Sequence, residues 1–234
     1  MNAEQLTMRL LSSASRVNLH QLRNQLTYTS SKTSDSTLLS RITAGCNELF
    51  KAPLVMDDTP GISMHTVRAR ARQWRSNRDF FPAGEPHKRG LILIDYLQLM
   101  HGRTGKNINR EQEISEISRG LKALARELDL PVIVLSQLNR EVEKEKDKKP
   151  MLSHLRESGA IEQDADIIMF IHRAEYYDRE NPALKGKAEL IVAKHRNGPT
   201  GTVNLQFIHE CTKFENATTE DNAAIYVPPE DSPF

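Results

Sequence analysis

Apolar runs alternate with an amphipathic segment through the middle of the chain. Residues 91–94 and 131–135 are continuous apolar runs. Between them, apolar residues recur at helical spacing, which predicts a helix from about residue 110 to residue 128. A third apolar run covers residues 165–171. Because unbroken apolar runs are typical of strands covered on both faces, the pattern predicts an α/β fold with a mostly parallel sheet flanked by helices.

The first third of the chain carries helix signals. Asn2 is predicted to cap a helix at the start of the sequence, and Ser63 to cap a helix that runs to about Trp74. Between these two helices, the pattern predicts a helix at residues 38–50 and a short strand at residues 54–56.

The last third predicts an antiparallel hairpin followed by a tail. Residues 188–193 and 202–207 resemble strands, and the short turn at residues 197–201 favours a hairpin at one edge of the sheet. Residues 217–234 contain three prolines and several acidic residues. We therefore expect one domain over residues 1–216 and a disordered tail over residues 217–234.

Composition narrows the class of protein. The 234 residues include 32 Lys+Arg and 31 Asp+Glu, a net charge of +1, so any nucleic-acid surface has to be local. No apolar stretch approaches the ~20 residues that span a bilayer, and no signal peptide opens the chain. Cys46 and Cys211 are isolated, without the spacing of a zinc site or a disulfide framework. These features predict a cytoplasmic protein that does not contact membranes.

Polar residues follow two of the apolar runs. Asp95 ends the first run, and Gln137 follows the second. Because ligands bind beyond the carboxyl ends of the strands in open α/β sheets, both are candidate site residues. Asp95 could hold Mg²⁺ beside a nucleotide, and Gln137 could hydrogen-bond a γ-phosphate. Taken singly, each is explained at least as well by a polar residue that satisfies a turn.

Lys194 and Arg196 alternate at the end of a further predicted strand. Side chains two residues apart point to the same side of a strand, so this pair could clamp one phosphate. The alternative is an edge strand protected by charge. Three strand ends are thus predicted at the same end of one sheet, and all three carry residue types that phosphoryl transfer uses. That coincidence is stronger than any one of the three signals.

A phosphate-binding loop of the form G-x-x-x-x-G-K-[ST] is absent from the sequence. The nearest candidate has Met100 in place of the first glycine and Asn107 in place of the final Ser or Thr. Before the third apolar run, Arg156, Ser158 and Gly159 could contact a nucleic-acid backbone, and glycine allows close approach. The alternative is a polar loop that leads into a helix.

Five strings of the sequence carry a family resemblance. They are LILIDYLQLM (91–100), EISEISRGLKALAREL (113–128), PVIVLSQLNR (131–140), LRESGAIEQDADIIMFIHR (155–173) and AKHRNGPTGTV (193–203). In this order they closely resemble the bacterial replicative DNA helicases of the DnaB type. The likeness runs over nearly the whole chain, from AEQLTMRLLS to TKFEN.

The resemblance implies a RecA-like domain of the P-loop NTPase type. It implies an ATPase that uses ATP and Mg²⁺, assembles into a homo-hexamer around single-stranded DNA and unwinds duplex DNA in replication. Primase and a helicase loader are the implied protein partners.

The resemblance also implies residue roles. Asp95 matches the aspartate that holds Mg²⁺, and Gln137 matches the residue that senses the γ-phosphate. Lys194 and Arg196 match the pair that reaches the γ-phosphate of the neighbouring subunit, with Arg196 as the arginine finger. Three residues match the loop that contacts the DNA backbone: Arg156, Glu157 and Gly159.

The sequence departs from the family at its start. Met1 aligns with a methionine just after the family's catalytic glutamate, so we expect the P-loop, its strand and helix, and the catalytic base to be missing. Such a chain would be inactive as an ATPase alone and would leave strand edges and apolar faces uncovered. The alternatives are a non-catalytic ring partner or inhibitor that supplies the arginine finger, or a gene fragment, a split gene or a misplaced start codon.

Overall fold

The computed structural model describes residues 2–27, 36–82, 90–102, 109–145 and 147–217. The predicted tail, from residue 218 on, lies outside these ranges. The helices within them are α1 (Ala3–Ser15), α2 (Leu19–Thr27), α3 (Ser36–Lys51), α4 (Met64–Ser76), α5 (Arg110–Leu128) and α6 (Gly159–Asp164). The strands within them are β1 (Ile92–Ile94), β2 (Val132–Val134), β3 (Ile167–His172), β4 (Lys187–His195), β5 (Gly201–Ile208) and β6 (Lys213–Asn216).

Two helices begin at the predicted capping residues. The Asn2 side chain accepts a hydrogen bond from the Gln5 amide (2.9 Å) at the start of α1. The Ser63 hydroxyl accepts one from the Thr66 amide (3.2 Å) at the start of α4. Each bond satisfies a backbone donor that has no partner inside its own helix. Both predicted caps are confirmed.

The chain divides into two compact units. One takes its described residues from Met1–Asp58, Arg173–Leu190 and Thr202–Phe234. The other takes them from Thr59–His172 and Ile191–Gly201. Each unit is therefore assembled from stretches that are distant in sequence.

In the first unit, α1 packs closely against α3. Leu11, Val17 and Leu22 are buried in the cluster that the first three helices share. A Cβ added at Gly45 of α3 would come within 3.0 Å of the Ser15 backbone nitrogen. Glycine therefore permits a helix approach that a larger residue would obstruct.

Residues 54–56 do not form the predicted strand. Leu54 and Val55 are exposed, and no strand of the described part of the chain includes them. Three apolar residues without a partner strand cannot bury themselves in a sheet. The segment instead leads to Asp58, whose carboxylate accepts a hydrogen bond from the Ala3 amide (3.0 Å) and so holds the first turn of α1.

In the second unit, α5 forms the centre of the core. Its length agrees with the predicted helix, and its apolar stripe is fully buried. The buried residues of the stripe are Ile114, Ile117, Leu121, Leu124 and Leu128. Met64 and Val67 of α4 pack against this stripe on one side, and Ile92 and Val132 pack against it from the strands.

Hydrogen bonding assigns the described strands to two sheets. β1 and β2 pair in parallel, with Ile92 opposite Val132 and Ile94 opposite Val134. The other four strands form a sheet in the order β3-β4-β5-β6. The α/β class and the parallel central pair are confirmed. The predicted hairpin strand β5 is not at the sheet edge, because β6 pairs with it antiparallel and takes that position.

The apolar strands of the second unit are uncovered on one face. Leu93 of β1 is 58 % exposed and Ile133 of β2 is 39 % exposed, whereas the residues on either side of each are partly buried. β3 alternates in the same way, with Phe170 buried and Met169 exposed. The prediction that both faces of these runs are covered is wrong for the described chain, because α4 and α5 cover only one face of β1 and β2.

Leucine-to-alanine substitutions should distinguish the two faces. Leu124 is fully buried, so Leu124→Ala is expected to lower the free energy of unfolding by about 2–5 kcal/mol. Leu93→Ala removes a mostly exposed side chain and is expected to cost about 1 kcal/mol or less. Urea unfolding followed by circular dichroism measures both values. Equal losses for the two variants would mean that the face around Leu93 is covered in solution.

Candidate functional site

Asp95 and Gln137 lie at the carboxyl edge of the β1–β2 pair. The two strands stay in register up to Ile94 and Val134. Asp95 follows β1 directly, and Gln137 comes three residues after the end of β2. Both side chains are exposed. The structure therefore brings these two predicted residues to one edge of adjacent parallel strands.

Gln98 links the two strand ends, and the sequence did not predict this role. Its Nε2 donates to the Ser136 hydroxyl (3.0 Å), and its Oε1 accepts from the Gln137 backbone amide (3.3 Å). Gln98 lies on a 3₁₀ turn that the buried Leu97 holds against the core. These bonds fix the backbone at Gln137 relative to the turn that follows Asp95.

The start of α5 holds the next part of that loop. Glu113 accepts a hydrogen bond from the Gly102 amide (2.6 Å) and forms an ion pair with Arg110. Arg110 also donates to the Gln98 carbonyl (2.7 Å). The Gly102 amide contributes most to holding the pKa of Glu113 below its ordinary value, and Arg110 adds to the effect. Residues 103–107 of the rejected phosphate-loop candidate lie outside the described residues.

Lys194 lies in β4 and Arg196 directly follows the strand, and both side chains reach the end of α6. Lys194 Nζ donates to the Glu162 carbonyl (2.5 Å), and Arg196 Nη2 donates to the Gln163 carbonyl (2.5 Å). Both carbonyls belong to the last turn of α6, where the helix supplies no partners for them. Two cations at the negative end of a helix are also electrostatically favourable. The basic pair therefore caps the carboxyl end of α6.

The basic pair does not share a sheet with Asp95 and Gln137. β4 belongs to the four-stranded sheet, and the Arg196 amide donates to the Asp166 carbonyl (2.9 Å) just before β3 begins. The carboxyl end of β4 thus lies beside the amino end of β3. The prediction that all three strand ends meet at one end of one sheet is wrong, since the strand-end rule applies to parallel strands of a common sheet.

Asp166 connects the basic pair to α5. Its carboxylate forms an ion pair with Lys122, and Arg196 Nε lies 3.9 Å from the same oxygen. The hydrogen bond from Lys122 contributes most to lowering the pKa of Asp166. One helical turn before Lys122 in α5, Ser118 donates to the carboxylate of Asp164, the last residue of α6 (2.8 Å). The sequence patterns did not predict these contacts. The available signal was Asp166 itself, an acidic residue directly before an apolar strand.

The predicted DNA-contacting segment leads directly into α6. Leu152–Ser158 is a 3₁₀ segment in which Leu155 is buried in a cluster with β3 and β4. The side chains of Arg156 and Glu157 lie outside the described part of the chain. Gly159 is exposed, its φ is −51°, and an added Cβ would meet nothing within 4 Å. Neither backbone conformation nor packing among the described residues therefore requires glycine at this position.

A family model agrees with the resemblance seen in the sequence. The model, described as the DnaB-like helicase C terminal domain, matches residues 1–216. The chain belongs to this family. The predicted membership of the DnaB-like family is thereby confirmed.

Named relatives of the DnaB-like family give the same result. The replicative DNA helicase DnaC of Bacillus subtilis (strain 168) is 46 % identical over 216 residues. DnaB of Geobacillus stearothermophilus is 45 % identical over 216 residues. Each match covers 92 % of this chain and 44 % of the relative, so the chain spans less than half the length of these relatives.

Two solved structures have a similar fold. The first is described as an ATPase domain and superimposes with a TM-score of 0.81 and 40 % identity, covering 93 % of this chain and 72 % of that one. The second, a DnaB-like replicative helicase described with its interactions with primase, gives the same TM-score and identity and is covered over 50 % of its length. The predicted RecA-like fold of a DnaB-type ATPase domain is confirmed.

The donor set at the β1–β2 edge fits a magnesium ion that is held mainly by other ligands. Among the described residues, no group of three His, Cys, Asp or Glu side chains could hold a metal. Asp95 supplies one carboxylate, and Mg²⁺ is commonly bound through one or two carboxylates together with water and nucleotide phosphates.

None of the helices in the described ranges combines the length and the apolar character needed to cross a membrane.

Replacing Lys122 should change the titration of Asp166. Lys122→Met removes the largest contact to this carboxylate, so its pKa is expected to rise toward the ordinary value of 3.8. Because the pKa is lowered in the folded state, the carboxylate stabilises the fold at neutral pH, and this contribution is lost as the pH falls through the folded pKa. NMR titration of the side-chain carboxyl measures the shift. The control is Lys144→Met, which replaces an exposed lysine and should leave the Asp166 pKa unchanged. An unchanged Asp166 pKa in Lys122→Met would refute the ion pair.

Proposed function

We propose that the chain acts as the motor domain of a DnaB-type replicative helicase, which couples ATP hydrolysis to movement along single-stranded DNA and so unwinds duplex DNA. Family membership over residues 1–216 supports this function, as do relatives named replicative DNA helicases. One structural observation carries the proposal. Lys194 and Arg196 form a basic pair at the end of β4, outside the sheet whose edge carries Asp95 and Gln137.

Asp95 and Gln137 are assigned to the nucleotide of their own subunit. Asp95 would hold Mg²⁺, which neutralises phosphate charge when bound with ATP. The Gln137 side chain would contact the γ-phosphate. Because Gln98 bonds the Gln137 amide and the neighbouring Ser136 hydroxyl, a shift at Gln137 would reach the turn after Asp95.

Lys194 and Arg196 are assigned to the nucleotide of a neighbouring subunit. The Arg196 side chain is 48 % exposed, so a phosphate group can approach it from solvent. Its planar guanidinium suits two-point contact with phosphate oxygens, and Lys194 adds a compact second charge. To make those contacts, both side chains have to leave the α6 carbonyls that they contact in the structure.

The segment before α6 is assigned to the DNA backbone. A helical glycine costs up to about 1 kcal/mol relative to alanine, and nothing described around Gly159 offsets that cost. Close approach of a nucleic-acid backbone accounts for a glycine with open space around it. The residues assigned to DNA are Arg156, Glu157 and Gly159.

The assembly that this function requires is a ring of subunits. We propose a homo-hexamer in the cytoplasm, with residues 1–216 as the motor domain, 217–234 as an appended tail, and primase and a helicase loader as partners.

The sequence holds no G-x-x-x-x-G-K-[ST] loop, so elements outside these 234 residues have to cradle the ATP phosphates. We therefore expect no ATP hydrolysis by the 234-residue chain alone.

Mixing the chain with a complete helicase tests the basic pair. The partner is the Geobacillus stearothermophilus helicase in which the equivalent Lys-x-Arg pair is replaced by alanines. Adding the chain is expected to restore ATPase activity, and adding the Arg196→Ala variant is expected to restore none, since an arginine finger contributes about 10³-fold or more. The matched control is Arg179→Ala, which alters an exposed arginine of the other unit.

Two results would contradict this assignment. One is an ATPase activity that stays unchanged with the chain in excess. The other is ATP hydrolysis by the chain alone that survives Asp95→Ala.

Gly159→Ala should separate folding from DNA binding. Because the site has room for a methyl group and a helical φ, the variant is expected to be as stable as the parent or up to about 1 kcal/mol more stable. Its affinity for a labelled oligothymidylate is expected to fall, since the added Cβ faces the incoming backbone. Urea unfolding and fluorescence anisotropy measure the two effects. The control is Gly201→Ala, at another glycine with open space around it. If the parent and Gly159→Ala bind the oligothymidylate with equal affinity, Gly159 does not belong to the DNA site.

A further inference from the structure

The DNA-contacting segment and the basic pair lie at the two ends of one short helix. α6 is six residues long, which corresponds to about 9 Å. Gly159 begins it, and the carbonyls of Glu162 and Gln163 near its end accept the hydrogen bonds from Lys194 and Arg196. A movement of α6 along its axis would therefore displace the acceptors of both cations together.

We propose that α6 couples single-stranded DNA at its amino end to the basic pair at its carboxyl end, with Asp166 as the positioning residue for Arg196. DNA binding at Gly159 displaces α6 and releases Lys194 and Arg196 toward the neighbour's nucleotide. The inference rests on the proposed function for its DNA ligand and for the use of the basic pair.

Asp166 is suited to this role because it holds Arg196 at two points. Its carbonyl accepts the Arg196 amide (2.9 Å), and its carboxylate lies 3.9 Å from Arg196 Nε. The same carboxylate pairs with Lys122 of α5, the helix at the centre of the unit's core. Asp166 is thus anchored to α5, and it holds Arg196 in the docked position beside the end of α6.

Ser118 and Asp164 form the contact that opposes the movement. Their hydrogen bond (2.8 Å) ties the last turn of α6 to α5, one helical turn away from Lys122. The docked arrangement thus depends on a few polar contacts. In the contact between Asp166 and Arg196 both side chains are exposed, Asp166 by 60 % and Arg196 by 48 %. Contacts of this kind are individually weak, so ligand binding is sufficient to shift them.

Thermodynamic reciprocity gives the inference a measurable consequence. If DNA favours the released pair, then a change that weakens docking has to tighten DNA binding, by up to the same factor. Asp166→Asn removes the carboxylate charge that holds Arg196 and keeps the backbone carbonyl. The variant should therefore bind DNA more tightly than the parent, although it loses no DNA contact.

The test uses the whole 234-residue chain and a labelled oligothymidylate. Anisotropy gives the affinity, and mass spectrometry gives the rate at which an amine-acetylating reagent modifies Lys194. A saturating oligonucleotide is expected to raise the Lys194 rate by about fivefold, the size expected for loss of one hydrogen bond. The rate at the exposed Lys187 should stay unchanged. Asp166→Asn is expected to bind the oligonucleotide about threefold more tightly.

Two further variants control the test. Glu116→Gln removes an exposed carboxylate charge from α5 outside the contacts that hold α6, so its affinity should stay within about twofold of the parent. Ser118→Ala removes the hydrogen bond that ties the last turn of α6 to α5 without changing any charge. It should also tighten binding, which keeps the test valid if Asp166→Asn does not fold.

The outcomes separate this inference from the proposed function. Oligonucleotide binding without a change at Lys194 would overturn the coupling and leave the DNA-binding function standing. Equal tightening by Glu116→Gln and Asp166→Asn would reveal a general charge effect and overturn the role of Asp166. No oligonucleotide binding at all would overturn both the coupling and the DNA-binding function.

Discussion

The burial of one face of α5 is the interaction on which the second unit depends. β1 and β2 are three residues each, and a two-stranded sheet of that size is not stable by itself in water. The apolar stripe of α5 covers both strands and also packs against α4. The less buried face of the same helix supplies Glu113, Ser118 and Lys122, which hold the loop after Asp95 and the end of α6. One helix therefore builds the core and positions the parts of both candidate sites.

The elements that local patterns predicted are those whose burial and capping are local. α5 has a complete apolar stripe, and α1 and α4 have side-chain caps at Asn2 and Ser63, so all three were predictable from nearby residues. β6 was not, because Lys213–Asn216 has one apolar residue in four and becomes a strand only by pairing with β5. The strand predicted at residues 54–56 failed for the opposite reason: it has apolar residues and no partner.

The candidate sites show the same division between local and distant information. Asp95 and Gln137 could be placed together because each follows a strand and the two strands are neighbours. The position of Lys194 and Arg196 required the order of strands in a second sheet, which no local pattern encodes. The contact between Lys122 and Asp166 joins residues 44 apart in sequence, so it was not available from local patterns.

The uncovered faces of β1, β2 and β3 bear on how long such a chain persists in a cell. Exposed Leu93, Ile133 and Met169 present the kind of apolar surface that chaperones and proteases recognise in incompletely folded proteins. Protein bound within an assembly that covers these strands would be shielded, whereas surplus protein would be removed. The abundance of the chain would then follow the amount of its covering partner, so turnover, and not synthesis, would set the stoichiometry of the complex.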